Sequence, residues 1–142
     1  MSQLAEFIGN HLMLTLPFIA LSFLYIMMFI NDKMQAFASI NSAELTQLVN
    51  HKNAILIDTR KADSFKQGHI VNAVNLPLDD ITSGKASIEK YKGKNIITYC
   101  TSGMSSKLAC KLLIKSGIEN VFNLTGGING WVKDKLPVIK SK

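Results

Sequence analysis

The amino-acid sequence predicts an α/β domain with a mainly parallel β-sheet, preceded by one transmembrane helix. Two observations lead to this fold class. Short apolar runs alternate with helical segments between residues 54 and 124, a pattern typical of βαβ units. Ahead of them, residues 12–30 form an uncharged apolar run. We therefore divide the chain into a short flank (1–11), a transmembrane helix (12–30), a linker (31–39) and a globular domain (40–142).

The apolar run at residues 12–30 contains 19 residues and no charged side chain. As a helix it would extend about 28 Å, close to the thickness of the hydrocarbon layer of a bilayer. A buried core helix is one alternative, but the run lacks the polar face that such a helix presents. A cleaved signal peptide is another, but residues 1–11 contain no Lys or Arg for its basic region.

Basic residues near the run predict its orientation. Lys33 follows the run, whereas the preceding flank has no Lys or Arg. Because basic residues favour the cytoplasmic side, we expect a single-pass protein of the inner membrane, in contact with membrane lipid, with its globular domain in the cytoplasm.

Charge and cysteine content exclude two other classes of protein. The chain carries 16 Lys and Arg residues against 10 acidic residues, but its lysines are scattered and Arg60 is its single arginine. A nucleic-acid-binding protein would concentrate such charge on one face. Cys100 and Cys110 are too few for a disulfide framework. Their predicted places, at a strand end and inside the next helix, are also too far apart for a bridge.

The first half of the globular domain is predicted from local signals. Asn41 followed by Glu44 forms a capping-box pattern that starts a helix. Residues 54–57 are all apolar and indicate a buried strand. The remaining elements of this half are one or two helical turns at 62–66, a weaker strand at 73–76, and short helices at both ends of the polar stretch 79–92.

The second half contains the strongest signals. A strand at 95–99 runs directly into Cys100, and a helix at 105–116 follows, with Gly117 at its end. A last strand at 121–124 precedes two glycines and a short turn that reaches Trp131.

The turn from Cys100 to Ser105 is the segment most suited to chemistry. Ligands of open parallel sheets gather at the carboxyl ends of strands, and Cys100 lies at such an end. Gly103 and the small side chains around it allow successive N–H groups to form an anion-binding nest beside a helix N-terminus. A thiol held there is expected to have a lowered pKa and to act as a nucleophile. The alternative is a small buried apolar residue, which is our interpretation of Cys110 in the helix.

Three stretches of the domain resemble the rhodanese homology domain. The resemblance covers roughly residues 40–138, and its motifs occur in the family's order and spacing. They are Leu56-Ile57-Asp58-Thr59-Arg60 with Gly68-His69-Ile70 and Ala73-Val74-Asn75-Leu76-Pro77; Ile97-Thr98-Tyr99-Cys100-Thr101-Ser102-Gly103-Met104-Ser105; and Val121-Phe122-Asn123-Leu124 with Gly126-Gly127 and Gly130-Trp131.

This resemblance implies a fold and a reaction. The fold is a five-stranded parallel sheet with helices on both faces. The reaction is sulfur transfer without a cofactor or metal, from a small donor such as thiosulfate or a persulfide to cyanide or a thiol. The implied nucleophile, which carries the sulfur as a persulfide, is Cys100, and the implied cradle is Thr101, Ser102, Gly103, Met104 and Ser105. Asp58 and Arg60 resemble a charged pair of the family that anchors structure.

One departure from the family pattern keeps a second function open. Many active members carry an arginine in the loop, where this chain has Thr101 and Ser105. Thiosulfate turnover is therefore expected to be weak, unless Lys107 supplies the missing charge. A membrane-tethered, noncatalytic rhodanese-like module that recruits partners is the alternative. A phosphatase of related fold is disfavoured, because its longer Cys-loop needs an arginine where Ser106 stands.

Overall fold

The structure, a computed structural model, describes residues 12–33 and 37–141 in two units. The first unit is helix α1 (Leu12–Lys33), on which Phe18, Leu21 and Phe23 are exposed. Among the described residues, no helix has both the length and the apolar character that crossing a membrane requires. The predicted span at 12–30 and its lipid contact are therefore not supported. The predicted flank 1–11 lies outside the described residues.

The second unit contains the remaining helices and strands. In chain order they are β1 (Ala38–Ile40), α2 (Ser42–Lys52), β2 (Ile55–Asp58), α3 (Ala62–Gln67), β3 (His69–Ile70), β4 (Val74–Asn75), α4 (Leu78–Thr82), a 3-10 turn (Glu89–Tyr91), β5 (Asn95–Tyr99), α5 (Ser105–Lys115), β6 (Asn120–Leu124), α6 (Gly127–Lys133) and β7 (Val138–Ile139).

A five-stranded sheet forms the centre of this unit. Its spatial order is β1-β6-β5-β2-β4, and all of its pairings are parallel. The α/β class and the five-stranded parallel sheet are thus confirmed. Strand β5 is central, so a residue that follows it lies in the middle of the sheet's carboxyl edge.

Alternation along β5 explains why both faces of the sheet are covered. Ile97 and Tyr99 pack on one face in a cluster that includes Trp131 of α6. Ile96 packs on the other face in a cluster that includes Leu113 of α5. Successive side chains of a strand point to opposite faces, and burial of both apolar sets is the main stabilising contribution.

Several helix ends lie where local sequence patterns predicted them. At the start of α2, the Asn41 side chain accepts a hydrogen bond from the Glu44 amide at 2.9 Å, and the Glu44 carboxylate accepts one from the Asn41 amide at 2.8 Å. The predicted capping box is therefore present. Helix α3 ends at Gly68 as predicted, and the polar stretch has short helical turns at both ends.

Four short elements differ from the predictions. Strand β1 begins at Ala38, inside the segment predicted to be a linker, because three residues with one buried side chain give no readable alternation. Strands β3 and β7 form an antiparallel pair of two residues each, outside the main sheet. The turn predicted to reach Trp131 is helix α6.

Candidate functional site

Cys100 follows β5 directly and lies at the centre of the sheet's carboxyl edge. It is 3% exposed, and its small exposed part opens onto a cavity of about 270 Å³. A ligand in that cavity would therefore meet the sulfur at the position where parallel sheets place their binding sites.

The loop after Cys100 turns its backbone toward the sulfur. The Gly103 amide donates a hydrogen bond to Sγ of Cys100 at 3.1 Å. Gly103 adopts a φ of +84°, and a Cβ at this position would lie 2.7 Å from the Leu124 carbonyl oxygen. This turn therefore requires glycine, because other residues rarely adopt such a positive φ and their Cβ would clash with the Leu124 carbonyl.

A second glycine allows helix α6 to support the loop. The amide of Ile128 donates to the Cys100 carbonyl at 2.9 Å, and the amide of Asn129 donates to the Thr101 carbonyl at 3.1 Å. Gly127 has a φ of +57°, and a Cβ there would overlap the Cys100 carbonyl oxygen. Gly127 thus permits the close approach of the α6 backbone to the backbone of the loop.

The surroundings of Cys100 lower the pKa of its thiol. Burial alone would raise this pKa, but hydrogen bonds oppose it and bring the value from 9.0 to about 7. The Ser105 hydroxyl and the amides of Ser106 and Ser102 donate to the sulfur, and the Ser106 hydroxyl also lies within hydrogen-bond distance of it. Hydrogen bonds to the charged form favour ionisation, so a large fraction of Cys100 is thiolate at neutral pH.

The cavity beside Cys100 is lined by three short segments. They supply Thr59, Arg60, Lys61 and Ser64 from the β2–α3 region, Pro77, Leu78 and Asp79 at the start of α4, and Cys100, Thr101 and Ser105 from the loop. Lys61 is exposed. The cation proposed from sequence to compensate for the missing arginine, Lys107, is not among these lining residues.

Arg60 lines the cavity but is held by its own partners. Its guanidinium contacts the Asp58 carboxylate at 2.6 Å and also donates to the Gly68 carbonyl at 2.6 Å. Asp58 is fully buried, whereas Arg60 is partly exposed. The pair joins the end of β2 to the turn before β3, as expected for a structural anchor, and its charges largely offset each other.

The predicted loop residues have different places in the site. Cys100 and the Gly103 amide lie together, and Thr101 and Ser105 line the cavity. Ser102 contributes its backbone amide. The Met104 side chain is 72% exposed and does not line the cavity, so it takes no part in the predicted cradle.

Two residues of the site are absent from the sequence prediction. The Ser106 hydroxyl lies 3.4 Å from Sγ of Cys100 and 2.7 Å from Oδ1 of Asn123. Asn123, 1% exposed on β6, also donates to the Gly103 carbonyl at 3.2 Å. An amide side chain in the middle of an otherwise apolar strand was the signal for Asn123.

Three residues outside the loop have structural roles, and for Cys110 this is the role predicted from the sequence. Cys110 is fully buried in the apolar cluster beneath α5. His69 is buried, bonds the Phe65 carbonyl through Nδ1 at 2.9 Å and stacks on the Phe65 ring. Trp131 is buried and donates to the Pro137 carbonyl at 2.9 Å.

Known proteins share both the sequence and the fold. The chain is 31% identical over the full length of both sequences to YibN of Escherichia coli strain K12, described as an uncharacterized protein. It is 35% identical to a sulfurtransferase of Allochromatium vinosum, over 70% of this chain and 92% of that protein. The crystal structure of a rhodanese-related protein from Thermoplasma volcanium superimposes with a TM-score of 0.63 at 25% identity, covering 74% of this chain and all of the other.

The sequence pattern of the Rhodanese-like domain family matches residues 41–134, more than half of the chain. This range contains the loop, the cavity and every strand of the main sheet except β1. The chain therefore belongs to the rhodanese-like domain family.

Proposed function

We propose that this protein is a sulfurtransferase, in which Cys100 takes sulfane sulfur from a small donor and passes it to a thiol or another thiophilic acceptor. The observation that carries the proposal is the surroundings of one sulfur atom: Sγ accepts a backbone hydrogen bond at 3.1 Å and opens onto a cavity. Relatives described as sulfurtransferases support this reaction class.

The first step is the attack of the Cys100 thiolate on the sulfane sulfur of the donor. With thiosulfate, a bond forms between Sγ and the outer sulfur, the sulfur–sulfur bond of thiosulfate breaks, and sulfite leaves with the electron pair. With a persulfide donor, the leaving group is the donor's thiolate. In both cases Cys100 becomes a persulfide, and no external oxidant or reductant is needed.

The second step returns Cys100 to its initial state. An acceptor thiolate, or cyanide, attacks the outer sulfur of the persulfide and forms a new bond to it. The Sγ–S bond breaks, and Sγ leaves as a thiolate. The donors that lower the pKa of Cys100 also stabilise this leaving group, because a thiolate of lower pKa leaves faster.

The composition of the cavity supports a preference among donors. Thiosulfate is a dianion, and the loop offers hydroxyl groups where a formal positive charge would bind it best. Arg60 is paired with Asp58. Among the described residues, Lys61 is therefore the cavity-lining cation that forms no ion pair. The negative charge of Asp79, which lines the same cavity, opposes the binding of a dianion. We therefore propose persulfides of small thiols as better donors than thiosulfate.

A mass measurement tests the proposal. The purified full chain is incubated with thiosulfate or with a small-molecule persulfide, and its intact mass is recorded before and after addition of cyanide. We expect a gain of one sulfur atom that cyanide removes. The Cys100→Ser variant is expected to gain nothing, and the Cys110→Ser variant is the matched control that still gains sulfur.

The noncatalytic module is the outcome that would replace this proposal. If no donor loads sulfur onto a chain that circular dichroism shows to be folded, the domain is not a sulfurtransferase. The absence of a loop arginine favours this outcome, while the lowered pKa of Cys100 favours catalysis.

The cytoplasmic location of the domain stays a prediction from the sequence. It rests on the position of Lys33 after the apolar run and the absence of Lys and Arg before it, and it presupposes the span at residues 12–30, which the structure does not support. An impermeant thiol reagent applied to intact cells checks it. Labelling of Cys100 in unbroken cells would contradict the prediction, whereas labelling after lysis only is expected.

A further inference from the structure

Ser106 has two possible acceptors for one proton. Its hydroxyl oxygen lies 2.7 Å from Oδ1 of Asn123 and 3.4 Å from Sγ of Cys100. A hydroxyl group donates one hydrogen bond. Whichever atom receives that proton, the other faces the oxygen lone pairs of Ser106.

The orientation of the Asn123 amide decides between the two acceptors. Its Nδ2 donates to the Gly103 carbonyl at 3.2 Å, so its Oδ1 is the atom that faces Ser106. An amide oxygen accepts hydrogen bonds and cannot donate them. Asn123 is 1% exposed, and a buried acceptor left without a donor is costly. The contact of 2.7 Å is the usual length of an O–H···O hydrogen bond.

We propose that the Ser106 hydroxyl donates its hydrogen bond to Asn123, which is thereby a positioning residue that withholds this donor from Cys100 and anchors Gly103. The stabilisation of the thiolate is then left to the amides of the loop and the Ser105 hydroxyl. Ser106 then presents its oxygen lone pairs to Sγ, where they accept a hydrogen bond from the neutral thiol and disfavour the thiolate.

This inference has a consequence for sulfur transfer that rests on the proposed function. A thiolate whose pKa falls far below the ambient pH is a poorer nucleophile, and the best attacking thiol has a pKa near that pH. By withholding one donor, Asn123 keeps the pKa of Cys100 from falling further. The chain thus favours loading of sulfur at some cost to the departure of Sγ in the second step.

Four chains test the proposal: the unaltered chain, Ser106→Ala, Asn123→Leu and the double variant. The measured quantity is the rate of Cys100 alkylation by iodoacetamide from pH 5 to pH 9, with the modified peptide identified by mass. Other ionisable groups facing the site are Arg60 and Lys61 after β2, Asp79 in α4 and Cys110 in α5. They are the same in all four chains, so their effects cancel.

We expect the Ser106 hydroxyl to assist ionisation of Cys100 only when Asn123 is absent. With Asn123 present, Ser106→Ala leaves alkylation at low pH as fast as before or faster. With Leu at position 123, the freed hydroxyl donates to the thiolate, and its removal slows alkylation at low pH by about tenfold.

Two results would overturn the proposal. One is an equal slowing by Ser106→Ala in both backgrounds, because the hydroxyl would then donate to Cys100 regardless of Asn123. The other needs no variant at position 123: a slowing of several fold by Ser106→Ala in the chain that retains Asn123. Sulfur loading is measured separately by mass, so failure of this inference leaves the proposed function untouched.

Discussion

The carboxyl end of β5 and the middle of α5 each hold one buried cysteine, and their surroundings shift thiol ionisation in opposite directions. At Cys100, hydrogen bonds outweigh burial and lower the pKa to about 7. At Cys110, burial outweighs a hydrogen bond with Thr98 and raises the pKa to about 11, helped by the charge of Cys100.

The difference lies in the number and kind of groups that face each sulfur. Cys110 has a hydroxyl at 2.9 Å and the Phe122 carbonyl at 3.6 Å, and this carbonyl accepts a hydrogen bond from the thiol and so favours its neutral form. Cys100 has the Ser105 hydroxyl and several backbone amides, and amides only donate. Burial is common to both sites, so reactivity depends on a loop that turns several donors toward the sulfur.

The largest expected effect comes from closing the space beneath the Cys100 loop. Gly127→Ala places a methyl group against the Cys100 carbonyl in a left-handed backbone conformation. We expect the free energy of unfolding to fall by about 3 kcal/mol and Cys100 alkylation to slow toward the rate of an ordinary thiol. Urea denaturation and alkylation kinetics measure the two effects.

Gly84→Ala is the matched control for that substitution. Gly84 has a φ of +70° but open space around its Cβ position. It should lose about 1 kcal/mol from backbone strain alone, with unchanged Cys100 reactivity. Equal effects of the two substitutions on reactivity would show that close approach of α6 does not shape the loop.

The two thiols should also affect stability at different pH values. The folded state lowers the pKa of Cys100, so ionisation of this thiol stabilises the fold fully above pH 9. This stabilisation declines as the pH falls toward 7 and is absent below pH 7. The folded state raises the pKa of Cys110, so stability falls as the pH rises from 9 to 11. Each change is on the order of 2 kcal/mol.

Urea denaturation between pH 6 and pH 11 measures these contributions in the unaltered chain, Cys100→Ser and Cys110→Ala. We expect Cys100→Ser to remove the rise in the free energy of unfolding between pH 7 and pH 9. We expect Cys110→Ala to reduce the loss of this free energy above pH 9. If both variants follow the same curve as the unaltered chain, the contrast between the two sites is wrong.

Cys110→Ala tests whether the second thiol is only structural. Removing a fully buried sulfur from the cluster beneath α5 should cost about 1–2 kcal/mol of stability. Sulfur loading of Cys100 should stay within twofold, as intact mass over time will show. Loss of loading in a folded variant would mean that Cys110 takes part in the reaction.

The smallest expected effect concerns charge at the mouth of the cavity. Lys61→Met removes a cation that lines the cavity beside Cys100, so loading from thiosulfate should slow by about threefold. Lys111→Met, an exposed lysine of α5 that does not line the cavity, is the control. An equal slowing by both substitutions would assign the effect to net charge.

Much of the Cys100 site could be predicted because its signals are local. A strand, a cysteine, a glycine and a helix follow one another within residues 95–115, and each has a short-range physical cause. The capping box of Asn41 and Glu44 was predictable for the same reason.

The missed features depend on contacts between distant residues. Asn123 forms hydrogen bonds with Ser106 and Gly103 only because β6 pairs with β5. Lys61 lines the same cavity as Cys100 only because β2 pairs with β5. Strand β1 has too few residues to show alternation, and its pairing with β6 defines it. The span predicted for residues 12–30 came from composition alone, without any contact.

The order of strands in the sheet has a consequence for how the domain folds. Ala38 of β1 pairs with Phe122 of β6, and β2 pairs with β5, which lies about 40 residues later in the chain. Contacts of such high sequence separation require closure of long loops before they contribute, which slows folding. During synthesis β1 therefore stays unpaired until β6, near the end of the domain, has left the ribosome. Over that period β1 is accessible to a chaperone.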